Sequence, residues 1–194
     1  MKSDFSIIVI GGGDSYNTDE EYVEALKFYQ PRIYQNRSDW KSTLYNIFSD
    51  KVNVLIPTMP SKDNAKYEYW KITFEKILQL SGNNIILIGH SLGANFLSLY
   101  LSENKIKKNI IQLHFVAGCV SSGTFLEPTN WNQINETSKQ IHIWHSTDDR
   151  IVDYTQALYY KEKLPKANLH TFENKGHFNS LEFEELFENI ESVI

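Results

Sequence analysis

Apolar and polar residues come in alternating blocks along this chain. Short runs rich in β-branched residues stand at Phe5–Ile10, 52–56, 84–88, 110–116, 140–144 and Asn168–Phe172, and each is read as a strand. These runs are near-continuous in apolar character, the pattern of strands covered on both faces. Longer stretches of helical period lie between them, at 19–29, 38–49, 65–80, 92–103 and 155–163, with 179–193 after the last strand. In that final stretch Phe183, Leu186, Phe187, Ile190 and Val193 form one stripe, and Glu182, Glu184, Glu185 and Glu188 fall beside it. Such a helix turns one face to the core and an acidic face to water.

Strands alternating with helices predict a mostly parallel sheet with right-handed crossovers, a three-layer α/β/α sandwich. No repeat, low-complexity tract or linker divides the chain, so one domain over residues 1–194 is expected. Two connections are long, 11–37 and 117–139, and both leave the carboxyl ends of strands, where ligand sites gather in such sheets.

Composition narrows the function classes. The net charge is −5, and the densest basic run, "KIKKN" at 105–109, reads as a helix end; nucleic acid is not expected as a partner. Cys119 is the only cysteine, so no internal disulfide forms. No apolar run approaches the about 18 residues of a membrane span. The opening "MKSDFSIIVIGGG" lacks the h-region of a signal peptide, and a cytoplasmic protein is expected.

Candidate chemistry begins at "LIGHSLGA". Gly89-His90-Ser91-Leu92-Gly93 has the Gly-x-Ser-x-Gly form of a nucleophile elbow, between a predicted strand and a predicted helix. Glycines flank the serine because side chains there would collide in the tight turn. A nucleophilic serine needs a base and an orienting acid, which follow it in the order Ser, Asp/Glu, His in this architecture. "HSTDDRIVDY" supplies Asp148, Asp149 and Asp153 after one strand, and "NKGHFN" supplies His177 after the last. Of the paired aspartates, Asp148 is expected to accept turn hydrogen bonds. His142 and His145 are three apart on a strand and point to opposite faces, so they make no metal pair. No metal or other cofactor is implied.

Together, "IPTMPSKDNAKYEYWK", "LIGHSLGA", "HSTDDRIVDY" and "NKGHFNSLEFEEL" resemble the α/β-hydrolase superfamily, and more narrowly the small serine hydrolases of the retinoblastoma-binding protein 9-like family. The resemblance runs over nearly the whole chain. It implies a minimal six-stranded α/β-hydrolase fold, strand order 2-1-3-4-5-6, with no large cap domain. It also implies Ser91 as nucleophile, His177 as base and Asp149 as acid, four residues after His145. The chain departs from the family in two places. Arg150 and Asp153 stand where the family's acid turn usually has prolines, which leaves Asp148 as the alternative acid. The insertion "DSYNTDEEYVEALKFYQPRIYQN" lengthens the loop after the first strand, where a helix beside the active site is expected.

The "GGGD" loop fails as a dinucleotide fingerprint, since Tyr16 occupies the third glycine position, and it lacks the Gly-Lys-Ser/Thr of a phosphate loop. Beside the nucleophile strand it instead suits an oxyanion hole, from Gly12 or Gly13 together with the Leu92 N–H. His90, Tyr16, Phe125 and Trp131 are the expected pocket residues, the last two on a short flap after the fourth strand. The expected reaction is hydrolysis of a small ester, thioester or activated amide through an acyl-serine, as in carboxylesterases. The alternatives are an acyltransferase with the same triad, and an interaction module that keeps the fold. A small acyl compound is the expected partner; a protein partner is possible but nothing in the sequence indicates one.

Overall fold

The computed structural model describes residues 4–29 and 38–194. Residues 30–36 of the insertion and the first three residues of the chain lie outside that description.

Among the described residues six strands form one sheet, with every neighbouring pair parallel: β1 (Phe5–Ile10), β2 (Asn53–Leu55), β3 (Asn84–His90), β4 (Asn109–Val116), β5 (Ser138–Ser146) and β6 (Asn168–Phe172). Their order is β2-β1-β3-β4-β5-β6, as the resemblance implied. Seven helices accompany it among the described residues: α1 (Asp19–Phe28), α2 (Trp40–Phe48), α3 (Tyr67–Leu80), α4 (Leu92–Glu103), α5 (Trp131–Thr137), α6 (Thr155–Lys163) and α7 (Glu184–Glu191).

The strand pattern explains the layering. Along β1 and β3, Ile8, Ile10, Ile85 and Leu87 enter one buried cluster, with α3, α4 and α6. Their neighbours Ile7, Val9, Ile86 and Ile88 enter the opposite cluster, under α2 and α7. Alternate side chains leave a strand on opposite faces, so a continuous apolar run feeds two cores at once. The first core is aromatic: Trp70, Phe74, Phe96, Tyr100 and Phe125 meet mostly edge to face.

The second face carries an unusual polar ladder. His114, His142 and His170 stack across β4, β5 and β6, with ring centroids 4.9 and 5.3 Å apart in succession. His142 Nδ1 and His170 Nε2 are 3.0 Å apart, the Trp144 indole donates to His114 Nδ1 at 3.1 Å, and Trp144 stacks on His170 at 3.7 Å. Burial pushes all three histidines below their ordinary pKa, His142 to about 4. They are neutral hydrogen-bonding rings packed as aromatics.

Three elements differ from expectation. α7 begins at Glu184, because the preceding residues form the turn from which the Ser180 carbonyl accepts the Trp40 N–H at 2.8 Å. Segment 117–139 is no free flap. Asn95 of α4 donates to the Val120 carbonyl at 2.7 Å, Tyr160 of α6 donates to that of Cys119 at 3.0 Å, and the segment then forms α5. The helix in the insertion is present as α1, started by the Thr18 hydroxyl accepting from the Glu21 N–H, but none of its residues is buried. No helix among the described residues is long and apolar enough to cross a membrane.

Candidate active site

Ser91 joins β3 to α4 with φ 55° and ψ −122°, a conformation that costs a non-glycine residue about 1–3 kcal/mol. The flanking glycines make this turn possible. A Cβ on Gly89 would lie 2.5 Å from the Gly93 carbonyl oxygen, and one on Gly93 would lie 2.1 Å from that of Ile10. Behind the serine, α4 is buried over nearly its whole length, so the elbow rests on a fixed support.

The acid turn follows β5. The Asp149 carboxylate is fully buried, and its Oδ1 accepts the N–H groups of Ile151 at 2.8 Å and Val152 at 3.1 Å. Oδ2 faces His177 Nδ1 at 2.7 Å. With Oδ2 as acceptor, Nδ1 is the donor, and in the neutral ring that tautomer leaves Nε2 bare, the state a general base requires. Asp148 points elsewhere. Its Oδ1 accepts from the Ser146 hydroxyl at 2.5 Å and the Gly176 N–H at 2.9 Å, while the Lys175 N–H donates to that same hydroxyl at 3.1 Å. These bonds hold the Asp148 carboxyl below its ordinary pKa. Asp148 thus fastens the turn that carries His177, and Asp149 meets the imidazole. Asp153 accepts from Thr155 at the start of α6.

Ser91, His90 and His177 line one cavity of about 510 Å³ with Gly11, Gly12 and Gly13. Ser91 Oγ makes no hydrogen bond to another described residue, which leaves it free toward the cavity. Gly12 is the loop glycine nearest it, where a Cβ would meet Ser91 Cβ at 3.0 Å. The N–H groups of Gly12, Gly13 and Leu92 make no hydrogen bond to any described residue. The glycine loop is pinned from behind by the segment after β2: the Asp14 N–H donates to the Lys62 carbonyl at 2.8 Å, and the Ala65 N–H to that of Asp14 at 2.7 Å.

The chain matches the family model described as "Serine hydrolase" over residues 34–193. It belongs to the serine hydrolase family. Serine hydrolase RBBP9 of Rattus norvegicus is 28% identical over 145 residues, 72% of this chain and 77% of that protein. Solved structures agree on the fold. The ydeN gene product of B. subtilis superposes with a TM-score of 0.76 at 18% identity, over 96% of this chain and 97% of that one. A YdeN-like hydrolase from Pectobacterium atrosepticum gives a TM-score of 0.66 at 15% identity, over 97% and 89%. These neighbours are α/β hydrolases, and this serine hydrolase shares their fold, with an open six-stranded sheet and no large cap among the described residues.

Not every expected pocket residue reaches the cavity. Phe125 is fully buried in the aromatic core against Tyr67, Trp70 and Phe96. Trp131 packs edge-on against Tyr159 and Tyr160. Tyr16 lies against Tyr22, and its carbonyl accepts from Lys66. Each of these rings packs against aromatic neighbours of its own instead of facing the open cleft. The walls come instead from Ile56, Pro57, Thr58 and Met59 after β2, with Lys41, Lys62, Ile151 and Asn179. The position of 56–62 beyond the carboxyl end of a strand, on the same rim as Ser91, was the available signal. Among the described residues no group of three or more His, Cys, Asp or Glu is arranged to hold a metal ion.

Proposed function

We propose that this serine hydrolase cleaves small esters, thioesters or activated amides through an acyl-Ser91 intermediate. His177 is the base and Asp149 the orienting acid. The observation that carries the reading is the buried 2.7 Å contact between Asp149 Oδ2 and His177 Nδ1, beside the cavity that Ser91 also lines.

Ser91 Oγ attacks the carbonyl carbon while its proton passes to His177 Nε2, and the carbonyl oxygen takes up the negative charge. Leu92 N–H and a glycine N–H, from Gly12 by its approach to Ser91 or from Gly13, donate to that oxygen. One such donor is worth about 2.7–4 kcal/mol of barrier. As the intermediate collapses, His177 returns the proton to the leaving oxygen, sulfur or nitrogen. Water then attacks the acyl-enzyme with His177 again as base, which releases the acid and restores Ser91. Asp149 stabilises the imidazolium formed in both halves. The sequence's single cysteine fits a cytoplasmic setting.

Labelling by a fluorophosphonate, alongside hydrolysis of short aryl esters, tests the reading. The wild type should be labelled and active, and Ser91→Ala neither. An unlabelled wild type, or equal labelling of Ser91→Ala, overturns it.

A further inference from the structure

The residue before the nucleophile has a role that the triad does not use. His90 ends β3, is 4% exposed, and has its Nε2 2.9 Å from the carbonyl oxygen of His177. A carbonyl only accepts, so Nε2 carries the hydrogen and donates. Burial, reinforced by the Lys41 ammonium and His177, holds the His90 pKa well below the usual range, so the ring is neutral. The Trp40 indole meets the His90 ring edge-on at 6.0 Å and 81°, which fixes its plane. The backbone N–H of Trp40 also reaches the histidine turn, donating to the Ser180 carbonyl at 2.8 Å. Between these two anchors lies Phe178, in the left-handed region at φ 51°.

We propose that His90 is a positioning residue, whose Nε2–H holds the His177 carbonyl so that the His177 imidazole stays in register with Ser91. This rests on the triad reading above. Asp149 orients the imidazole from its Nδ1 side, but it belongs to the β5 turn, not to the elbow. His90 supplies the missing connection, because it is the chain neighbour of the nucleophile. Ser91 and the tether of its base then move together with β3. The two histidine rings lie 5.0 Å apart at 42°, so a change in the His90 ring is felt directly at the base.

The test compares His90→Leu, which removes the donor, with His90→Gln, whose amide N–H can replace it, and His90→Asn, whose amide falls short. Each is assayed for kcat and KM on a short aryl ester. His90→Leu and His90→Asn should lower kcat by about 10²-fold, the cost of misplacing a reacting group by about 1 Å, with KM little changed. His90→Gln should recover most of the loss. In a His177→Ala background, His90→Leu should lower the residual rate no further, since its effect passes through His177. Wild-type kcat in His90→Asn, or the same loss with and without His177, overturns the proposal. If His90→Leu does not fold, the Gln and Asn pair decides. A labelled, active enzyme with wild-type rates in all three variants refutes the tether alone; an enzyme that is neither labelled nor active refutes the triad reading and the tether with it.

Discussion

The turn carrying Ser91 and the turn carrying His177 meet at one cavity, and steric contact and hydrogen bonds share the hold on them in different proportions. The elbow is held by contact. It ends β3, which has β1 and β4 on its two sides, and backbone from neighbouring segments fills the space where a side chain on Gly89 or Gly93 would go. The histidine turn packs one ring, Phe178, against Phe172 and Phe183, and is otherwise held by hydrogen bonds. It follows β6, an edge strand paired only with β5, and is fastened through Ser146, Asp148, Asp149 and His90. A steric hold fails together with the fold. A polar hold fails bond by bond, and the failure is read first in rate.

That contrast orders the expected effects. Asp149→Asn should be the largest, with a loss of about 10⁴-fold in kcat from the wrong imidazole tautomer and a small change in unfolding midpoint. Kinetics and thermal melting on one sample would check it; an unchanged kcat would pass the acid role to another residue. Gly93→Ala should act in the other manner. Its methyl would overlap the Ile10 carbonyl, and we expect a loss of about 1–3 kcal/mol in denaturant titration, with activity per folded molecule reduced as the elbow shifts. Asp148→Ala releases Gly176 and Ser146 but leaves the Asp149 contact, so about tenfold in kcat is expected with the melting temperature nearly kept.

Acid should sharpen the difference further, by a smaller amount. The stacked His114, His142 and His170 are neutral in the fold, with pKa values below the ordinary 6.5 and that of His142 near 4. Between those values the unfolded chain binds more protons than the folded one. Their contribution is therefore complete above about pH 6.5 and is lost as the pH falls toward 4. His170 lies on β6, so the histidine end should loosen before the elbow. Unfolding midpoints should fall from pH 7 to pH 5, and His142→Phe should flatten that slope.

The same contrast explains what the sequence disclosed. The strands, their two-faced burial and the elbow are local, written in β-branched runs and in two glycines around a serine. The choice between Asp148 and Asp149 is not local, because both follow β5. It depends on which carboxylate receives the Ile151 and Val152 N–H groups and turns inward. Phe125 differs from expectation because an aromatic ring in a loop fills a core as well as a cleft. α5 was missed because "WNQINET" is short and polar and buries only Ile134. The cavity walls at 56–62 are signalled in the sequence only by their place after a strand, and the structure adds that the glycine loop rests on that segment.

The edge position of β6 bears on how this protein wears out. Warming opens the least-braced segment first, and a strand with one neighbour opens at a lower free-energy cost than one enclosed by two. His177 would then leave Ser91 while the sheet stays intact. Catalysis should fade at temperatures where the bulk of the fold survives, and it should return on cooling, because Ser91 has kept its place for His177 to come back to.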